Sequence, residues 1–158
     1  MSFENYYPLN SNSNDLVDRS RTLASCEQKE SESLLIMLAS GNDDSGKRAT
    51  LALSAACSAL AMENEVSIFL VGDGAFWADS KNTIGVVVAG FPPLESLIET
   101  YLELGGRITI CSTCAGIGSF CGIDEHKKLA VLTLREGIEV QGFASVISEA
   151  QKGATLTF

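Results

Sequence analysis

The chain has 158 residues, a length that fits one domain with a short appendage and excludes a large multidomain enzyme. Apolar residues make up 46% and charged residues 20%, so the chain can bury a sizeable core. With 11 basic against 20 acidic side chains, the formal charge of -9 disfavours direct binding to nucleic acid or to anionic membranes. No apolar run has the length of a spanning helix and the first residues carry no secretion signal, so we expect a cytoplasmic protein.

Residues 1–33 differ in composition from the rest of the chain. They are rich in Ser and Asn and show neither a helical nor a strand period. We predict that residues 1–33 form a flexible or loosely docked tail. Residues 34–158 are predicted to form the folded domain, because continuous apolar segments begin at Leu34.

Apolar runs and apolar spacing predict alternating strands and helices along this domain. In chain order, we predict strand Leu34–Leu38, helix Lys47–Met62, strand Val66–Val71, a helix from Pro92 to Gly105, strand Arg107–Ile110, a weak helix Ala115–Cys121, a strand between Ala130 and Val140, helix Phe143–Ala150 and strand Ala154–Phe158. Ala75–Phe91 shows no clear helical or strand pattern, and a short strand, a mobile loop and a subunit contact all remain open for it. The pattern predicts a doubly wound α/β fold, with about five parallel strands and helices on both faces in a flavodoxin-like layering.

The polar turn after the first predicted strand has the spacing of a phosphate-binding loop. The turn Gly41–Lys47 is followed by Arg48, however, where such a loop needs a magnesium-binding Ser or Thr. Asp43 and Asp44 would also repel a phosphate in that position. We therefore interpret Asp43, Asp44 and Ser45 as capping groups of the following helix.

Three further features are given structural interpretations. Gly72–Gly74 lacks the remaining residues of a dinucleotide fingerprint and predicts a tight turn. Glu95, Glu99 and Glu103 recur on one helix face and predict a solvated acidic surface. Cys57 lies among alanines within a predicted helix, which predicts a buried and unreactive thiol.

Two cysteines near the end of the third strand stand out. Five cysteines are an odd number in a chain that needs no disulfide framework, so we expect reduced thiols with individual roles. Cys111 directly follows the predicted strand, and Cys114 completes a C-x-x-C pair. Reactive groups collect at the carboxyl ends of strands in parallel α/β sheets, and free N–H groups there favour thiolate. Cys111 and Cys114 are the predicted catalytic residues, and we expect the Cys111 sulfur to be accessible.

The residues themselves leave several reactions open. A thiolate at this position supports sulfur transfer through a persulfide, dithiol–disulfide cycling, or metal binding. For zinc, Cys111, Cys114, Cys121 and His126 could supply four ligands, although the second cysteine pair of common structural sites is missing. A non-enzymatic oligomeric module that binds a ligand at the same edge is a further alternative.

From Leu34 to Phe158 the chain resembles the DsrE/DsrF/TusD-like proteins of sulfur relay and sulfur oxidation. The resemblance rests on SGNDDSGKRA, VSIFLVGDGA, FPPLESLIETYLELGGRITICSTCAGI and EGIEVQGFASVISEAQKGATLTF, in that order. It implies a subunit that assembles into trimers or hexamers and needs no cofactor. It also implies that Cys111 accepts sulfur as a persulfide from a small sulfur-carrier protein and passes it to another protein.

The chain departs from that family pattern at two points. Members of the TusD type show a basic pair shortly after the cysteine, whereas Ala115–Gly122 contains no Arg or Lys. The resemblance therefore does not extend to the tRNA-thiolation pathway. Cys114 is an additional thiol found in other branches of the family, where its position allows it to resolve a persulfide on Cys111.

Overall fold

A five-stranded parallel sheet organises the part of the chain that the structure describes, which is residues 32–117 and 134–158 of a computed structural model. The strand order is β4-β3-β2-β1-β5. The strands are β1 (Ser33–Leu38), β2 (Glu65–Leu70), β3 (Arg107–Cys111), β4 (Glu139–Gln141) and β5 (Gly153–Thr157). The α-helices are α1 (Lys47–Ala61), α2 (Ser80–Thr83), α3 (Leu94–Glu103), α4 (Ser112–Ile117) and α5 (Phe143–Ala150).

The first βαβ unit agrees with the sequence prediction to within one residue at each boundary. β1 and β2 pair in parallel with Leu34 opposite Val66, and α1 makes the crossover between them. Buried alanines bring α1 close to the sheet, since they add little side-chain volume. Asp44 caps α1 as expected, because its carboxylate accepts the backbone N–H groups of Lys47 at 3.1 Å and Arg48 at 3.0 Å.

Helices cover both faces of the sheet, which confirms the predicted doubly wound α/β architecture. α1 and α3 pack against each other on one face. On the other face, Phe143 of α5 packs edge-on against Phe69 of β2 at a centroid distance of 5.7 Å. The change of face follows from the order of the strands. From β1 to β4, each new strand is added on the same side of the preceding one, whereas the connection from β4 to β5 returns across the sheet to the other side of β1. A right-handed crossover must then lie on the opposite face.

The segment after β2 is more regular than its sequence indicated. Gly72–Ala78 forms a 3₁₀ helix rather than the predicted tight turn. Gly72 has a left-handed φ of 56°, and a Cβ at Gly74 would lie 1.9 Å from the carbonyl oxygen of Leu38. Trp77 is buried, and its indole N–H donates to the Ser40 carbonyl at 2.8 Å. The two glycines thus let the backbone cross closely over the carboxyl end of β1.

Glu95 is not part of the purely solvated acidic surface that its spacing with Glu99 and Glu103 predicts. Its carboxylate accepts a hydrogen bond from the buried Thr83 hydroxyl and pairs with Arg135 at 2.5 Å. The Arg135 guanidinium is the largest influence and lowers the pKa of Glu95, whereas burial raises it. The hydrogen bond from the Thr83 hydroxyl lowers it again, so the pKa of Glu95 lies below its usual range. This cluster fastens the chain before β4 to α2 and α3.

Two predicted boundaries change beyond β3. α4 begins at Ser112, three residues before the predicted start, and β4 is a short strand at the end of the predicted interval. The described residues all belong to one compact unit. Nearly all of the predicted tail lies outside the described residues, as do Cys121 and His126. In residues 32–117 and 134–158, no helix has the length and apolar character needed to cross a membrane.

Candidate functional site

Cys111 occupies the junction between a central strand and a helix. It is the last residue of β3, where it lies opposite Gln141 of β4, and α4 starts at the next residue. Cys111 therefore stands at the N-cap of α4, so the N–H groups of Thr113 and Cys114 are the N2 and N3 donors that an N-cap side chain satisfies. The predicted helix start at Ala115 would not have produced this arrangement.

Donors from two residues act on the Cys111 sulfur. Burial is the largest influence and raises the pKa of Cys111. Hydrogen bonds from the backbone N–H and thiol of Cys114, and from the backbone N–H and hydroxyl of Thr113, outweigh burial together. The pKa of Cys111 is consequently lower than that of an ordinary thiol, which favours the nucleophilic thiolate.

Cys114 has the opposite tendency. Burial raises the pKa of Cys114, and the hydrogen bond and negative charge of Cys111 raise it further. The N–H of Gly72 donates to Cys114 Sγ at 3.2 Å and lowers this pKa, but not enough to reverse the net increase. The pKa values of the two thiols are thus shifted in opposite directions, so Cys111 is the member of the pair that loses its proton more readily.

The structure brings the two predicted residues together but does not expose them. Cys111 is 2% exposed and Cys114 is 7% exposed, so the expectation of an accessible sulfur is wrong for this conformation. Ser112 and Thr113, which separate the two cysteines, are exposed. The sulfur pair therefore lies directly beneath the surface formed by the first turn of α4.

Sequence reasoning missed Gly72 and Thr113 as parts of this site. The position of Gly72 was available in principle, because the carboxyl ends of the adjacent parallel strands β2 and β3 meet at one edge. Thr113 could be assigned to the Cys111 sulfur once the first helical residue was known. The sequence pattern placed that residue too far along the chain.

The remaining candidate ligands and thiols are separate from this pair or fall outside the description. Cys57 lies in α1, is half-buried, and donates its thiol to the Leu97 carbonyl at 3.6 Å. Cys57 is therefore not fully buried as predicted, although the burial that remains raises its pKa. Within residues 32–117 and 134–158, no three His, Cys, Asp or Glu side chains cluster as metal ligands. Cys121 and His126 of the zinc hypothesis lie outside these ranges.

The fold and the paired thiols define an α/β protein with a cysteine site at the carboxyl edge of its parallel sheet. The chain belongs to the DsrE/DsrF-like family, whose sequence pattern it matches over residues 33–158. No curated protein is significantly similar to it in sequence.

Two solved structures share this fold. The YchN protein from E. coli superimposes with a TM-score of 0.58 at 15% identity, covering 80% of this chain and 99% of its own. BT1422 from Bacteroides thetaiotaomicron, described as a conserved protein of unknown function, gives a TM-score of 0.50 at 17% identity, covering 80% of this chain and 95% of its own. At these identities the similarity establishes the fold alone.

Proposed function

We propose that the protein is an intracellular sulfur carrier that accepts sulfane sulfur as a persulfide on Cys111 and passes it to a partner protein. The observation that carries this proposal is the N-cap position of Cys111, where donors from Thr113 and Cys114 favour thiolate. Membership of the DsrE/DsrF-like family supports it, because this family includes proteins of sulfur relay. The mechanism calls for no cofactor.

The loading step requires only a persulfide donor, R–S–SH. The Cys111 thiolate attacks the outer sulfur of the donor, the donor S–S bond breaks, and R–S⁻ leaves as Cys111–S–SH forms. Delivery is the same reaction with a partner's thiolate as the nucleophile. Because Cys111 is 2% exposed, delivery to a protein requires a conformation in which this sulfur is accessible.

Exposed apolar side chains support the homo-oligomer that we propose, a trimer or hexamer. Phe143 and Ile147 of α5 are 51% and 57% exposed, and Val140 and Leu156 on the two edge strands are also exposed. Phe143 and Ile147 are one helical turn apart and so expose neighbouring apolar side chains on α5, a feature that is found at subunit contacts. The other proposed partner is a small sulfur-carrier protein acting as donor or acceptor.

Persulfide loading tests the proposed function. The reduced protein is treated with a low-molecular-weight persulfide and its intact mass is followed under non-reducing conditions. Immediately after loading, the wild type and Cys57→Ser, a control that removes a thiol of α1, should each carry one added sulfur atom. Cys111→Ser should gain none at this site. Equal sulfur uptake by Cys111→Ser and the wild type would contradict the proposal.

A dithiol redox protein is the second candidate function. The opposite pKa shifts of Cys111 and Cys114 favour it, because C-x-x-C redox pairs combine one thiol of lowered pKa with a second thiol. Equilibration in thiol–disulfide buffers would then give a reversible Cys111–Cys114 disulfide with a defined reduction potential. Under this alternative, the Cys111 thiolate attacks the inner sulfur of the donor and HS⁻ leaves, so Cys111–S–S–R forms. Cys114 then displaces R–S⁻ in the wild type, whereas a Cys114→Ser variant keeps the whole R–S group instead of a single added sulfur atom.

A further inference from the structure

Because Cys111 is buried, a thiol of another protein and a thiol of the same subunit do not have equal access to a persulfide on it. A thiol of another protein cannot approach a residue that is 2% exposed without a change in conformation. Cys114 needs no such change, because it lies three residues from Cys111 within the first turn of α4 and its thiol influences the pKa of Cys111. In the described conformation, the best-placed nucleophile toward Cys111 therefore belongs to the same subunit.

Building on the proposed function, we propose that Cys114 discharges the Cys111 persulfide within one subunit, releasing hydrogen sulfide and leaving a Cys111–Cys114 disulfide. The protein then reduces sulfane sulfur to sulfide, in addition to carrying it. Transfer to a partner and internal discharge compete for the same intermediate. Access of the partner to Cys111 decides which reaction prevails.

The discharge step balances without an external oxidant. The Cys114 thiol loses its proton to solvent, and the thiolate attacks the inner sulfur, Sγ of Cys111. The persulfide S–S bond breaks, and HS⁻ leaves with its electron pair. Two cysteine sulfurs are oxidised to a disulfide while one sulfane sulfur is reduced to sulfide.

The local structure places the attacking sulfur. Cys111 at the N-cap and Cys114 at N3 lie on the same side of the first turn, where side chains three residues apart are neighbours. Gly72 holds Cys114 Sγ from the adjacent strand end at 3.2 Å. Its N–H donates to a sulfur that must become anionic to react, so it stabilises the attacking thiolate.

The cycle also requires a reductant for the disulfide. A dithiol protein or a low-molecular-weight thiol reduces it by attack on one sulfur, followed by release of the second. Each turnover therefore consumes one persulfide and two thiol equivalents, and it produces one sulfide. When reductant is absent, the reaction stops after one sulfide per pair.

A single-turnover experiment without added reductant tests this inference. The wild type, Cys114→Ser and Cys57→Ser are loaded with a brief pulse of low-molecular-weight persulfide and then desalted. Released sulfide and intact mass are measured over time. The wild type and Cys57→Ser should lose the added sulfur, release sulfide in equal amount and become two hydrogens lighter than the reduced protein. Cys114→Ser should retain its sulfur and release sulfide roughly tenfold more slowly, because its internal thiol is missing.

The outcomes separate this inference from the function on which it rests. A wild type that keeps its added sulfur and releases no sulfide overturns internal discharge but leaves sulfur carriage intact. Sulfide release from Cys114→Ser at the wild-type rate also overturns it. Failure of both proteins to gain sulfur overturns the proposed function together with this inference. Cys114→Ala is a second variant for the case in which a buried serine hydroxyl perturbs folding.

The pH dependence gives an independent readout. Burial is the largest cause of the raised pKa of Cys114 and does not depend on a free Cys111 thiolate, so internal attack should accelerate as pH increases through the ordinary thiol range. Alkaline pH should therefore shorten the lifetime of the wild-type persulfide. The same change should have a much smaller effect on Cys114→Ser, and equal pH profiles for the two proteins would overturn the assignment.

Discussion

Removing the Thr113 hydroxyl should raise the pKa of Cys111. This hydroxyl is one of the donors that lower the pKa, and Thr113→Val removes it while keeping the side-chain shape and the backbone N–H. Thr113 is exposed, so the substitution leaves no cavity in the core and should change the free energy of unfolding little. The effect should therefore be confined to the ionisation of the site.

The exposure of Thr113 sets the expected magnitude. A hydrogen bond to a charged group contributes about 1.5 to 3 kcal/mol, and water can partly replace an exposed donor. We therefore take the lower end, about 1.5 kcal/mol, which corresponds to roughly a tenfold decrease in the acid ionisation constant of Cys111. Loss of a backbone donor would have a larger effect, because water cannot reach that position as easily.

Ultraviolet absorbance of the thiolate measures this change without requiring access to the buried sulfur. The titration is performed in a background in which the three cysteines outside the C-x-x-C pair are replaced by serine. Ser112→Ala is the matched control, since Ser112 is an exposed neighbour whose hydroxyl is not among the groups that lower the pKa of Cys111. If Thr113→Val and Ser112→Ala give the same titration curve as the parent, the described donor set is wrong.

Three substitutions test the scaffold that positions the site. Tyr101→Phe should lower the free energy of unfolding by about 2 kcal/mol in chemical denaturation, because the buried hydroxyl donates to a main-chain carbonyl at 2.8 Å and accepts a main-chain N–H at 3.2 Å. Glu95→Gln should flatten the acid limb of the stability–pH profile. In the wild type, the ionised Glu95 adds to the free energy of unfolding above the ordinary glutamate range. This addition disappears as pH falls through the lowered pKa of Glu95, because Arg135 then loses its charged partner. Gly74→Ala should cost at least about 3 kcal/mol and lower the melting temperature, because its Cβ would overlap the Leu38 carbonyl at 1.9 Å.

Two of these substitutions have a matched control, and the third has a result that would contradict the described contacts. Gly142→Ala adds a Cβ where nothing lies within 4 Å, so it should be much less destabilising than the substitution at Gly74. Glu99→Gln removes an exposed carboxylate from the same helix and is the matched control for Glu95→Gln. Wild-type stability in the Tyr101 variant would show that its hydroxyl is not held as described.

Local sequence signals predicted the sheet and the position of Cys111. The five apolar residues of Leu34–Leu38 are typical of a strand covered on both faces. The apolar residues of Leu94–Leu102 recur every three or four positions, which predicts an amphipathic helix. Because Cys111 follows a strand of the same sheet, its location at the carboxyl edge followed from topology. These features depend on short stretches of chain, so one sequence contains enough information.

The features that the sequence did not predict depend on contacts between distant segments. The hydrogen bond from Gly72 to Cys114 joins the segments that follow two neighbouring strands, and no local pattern encodes it. The Glu95–Arg135 pair likewise spans a long interval of chain. The low exposure of Cys111 results from several elements packing together, whereas its neighbours in sequence are exposed.

The state of the thiols in freshly isolated protein tests the central claim most directly. Non-reducing proteolysis followed by fragmentation mass spectrometry locates any added sulfur or disulfide on individual cysteines. The account predicts that sulfane sulfur is found on Cys111, or that a disulfide joins Cys111 to Cys114 after discharge. A protein in which both residues remain free thiols after isolation and after treatment with a persulfide donor, while sulfur accumulates on Cys57, would contradict it.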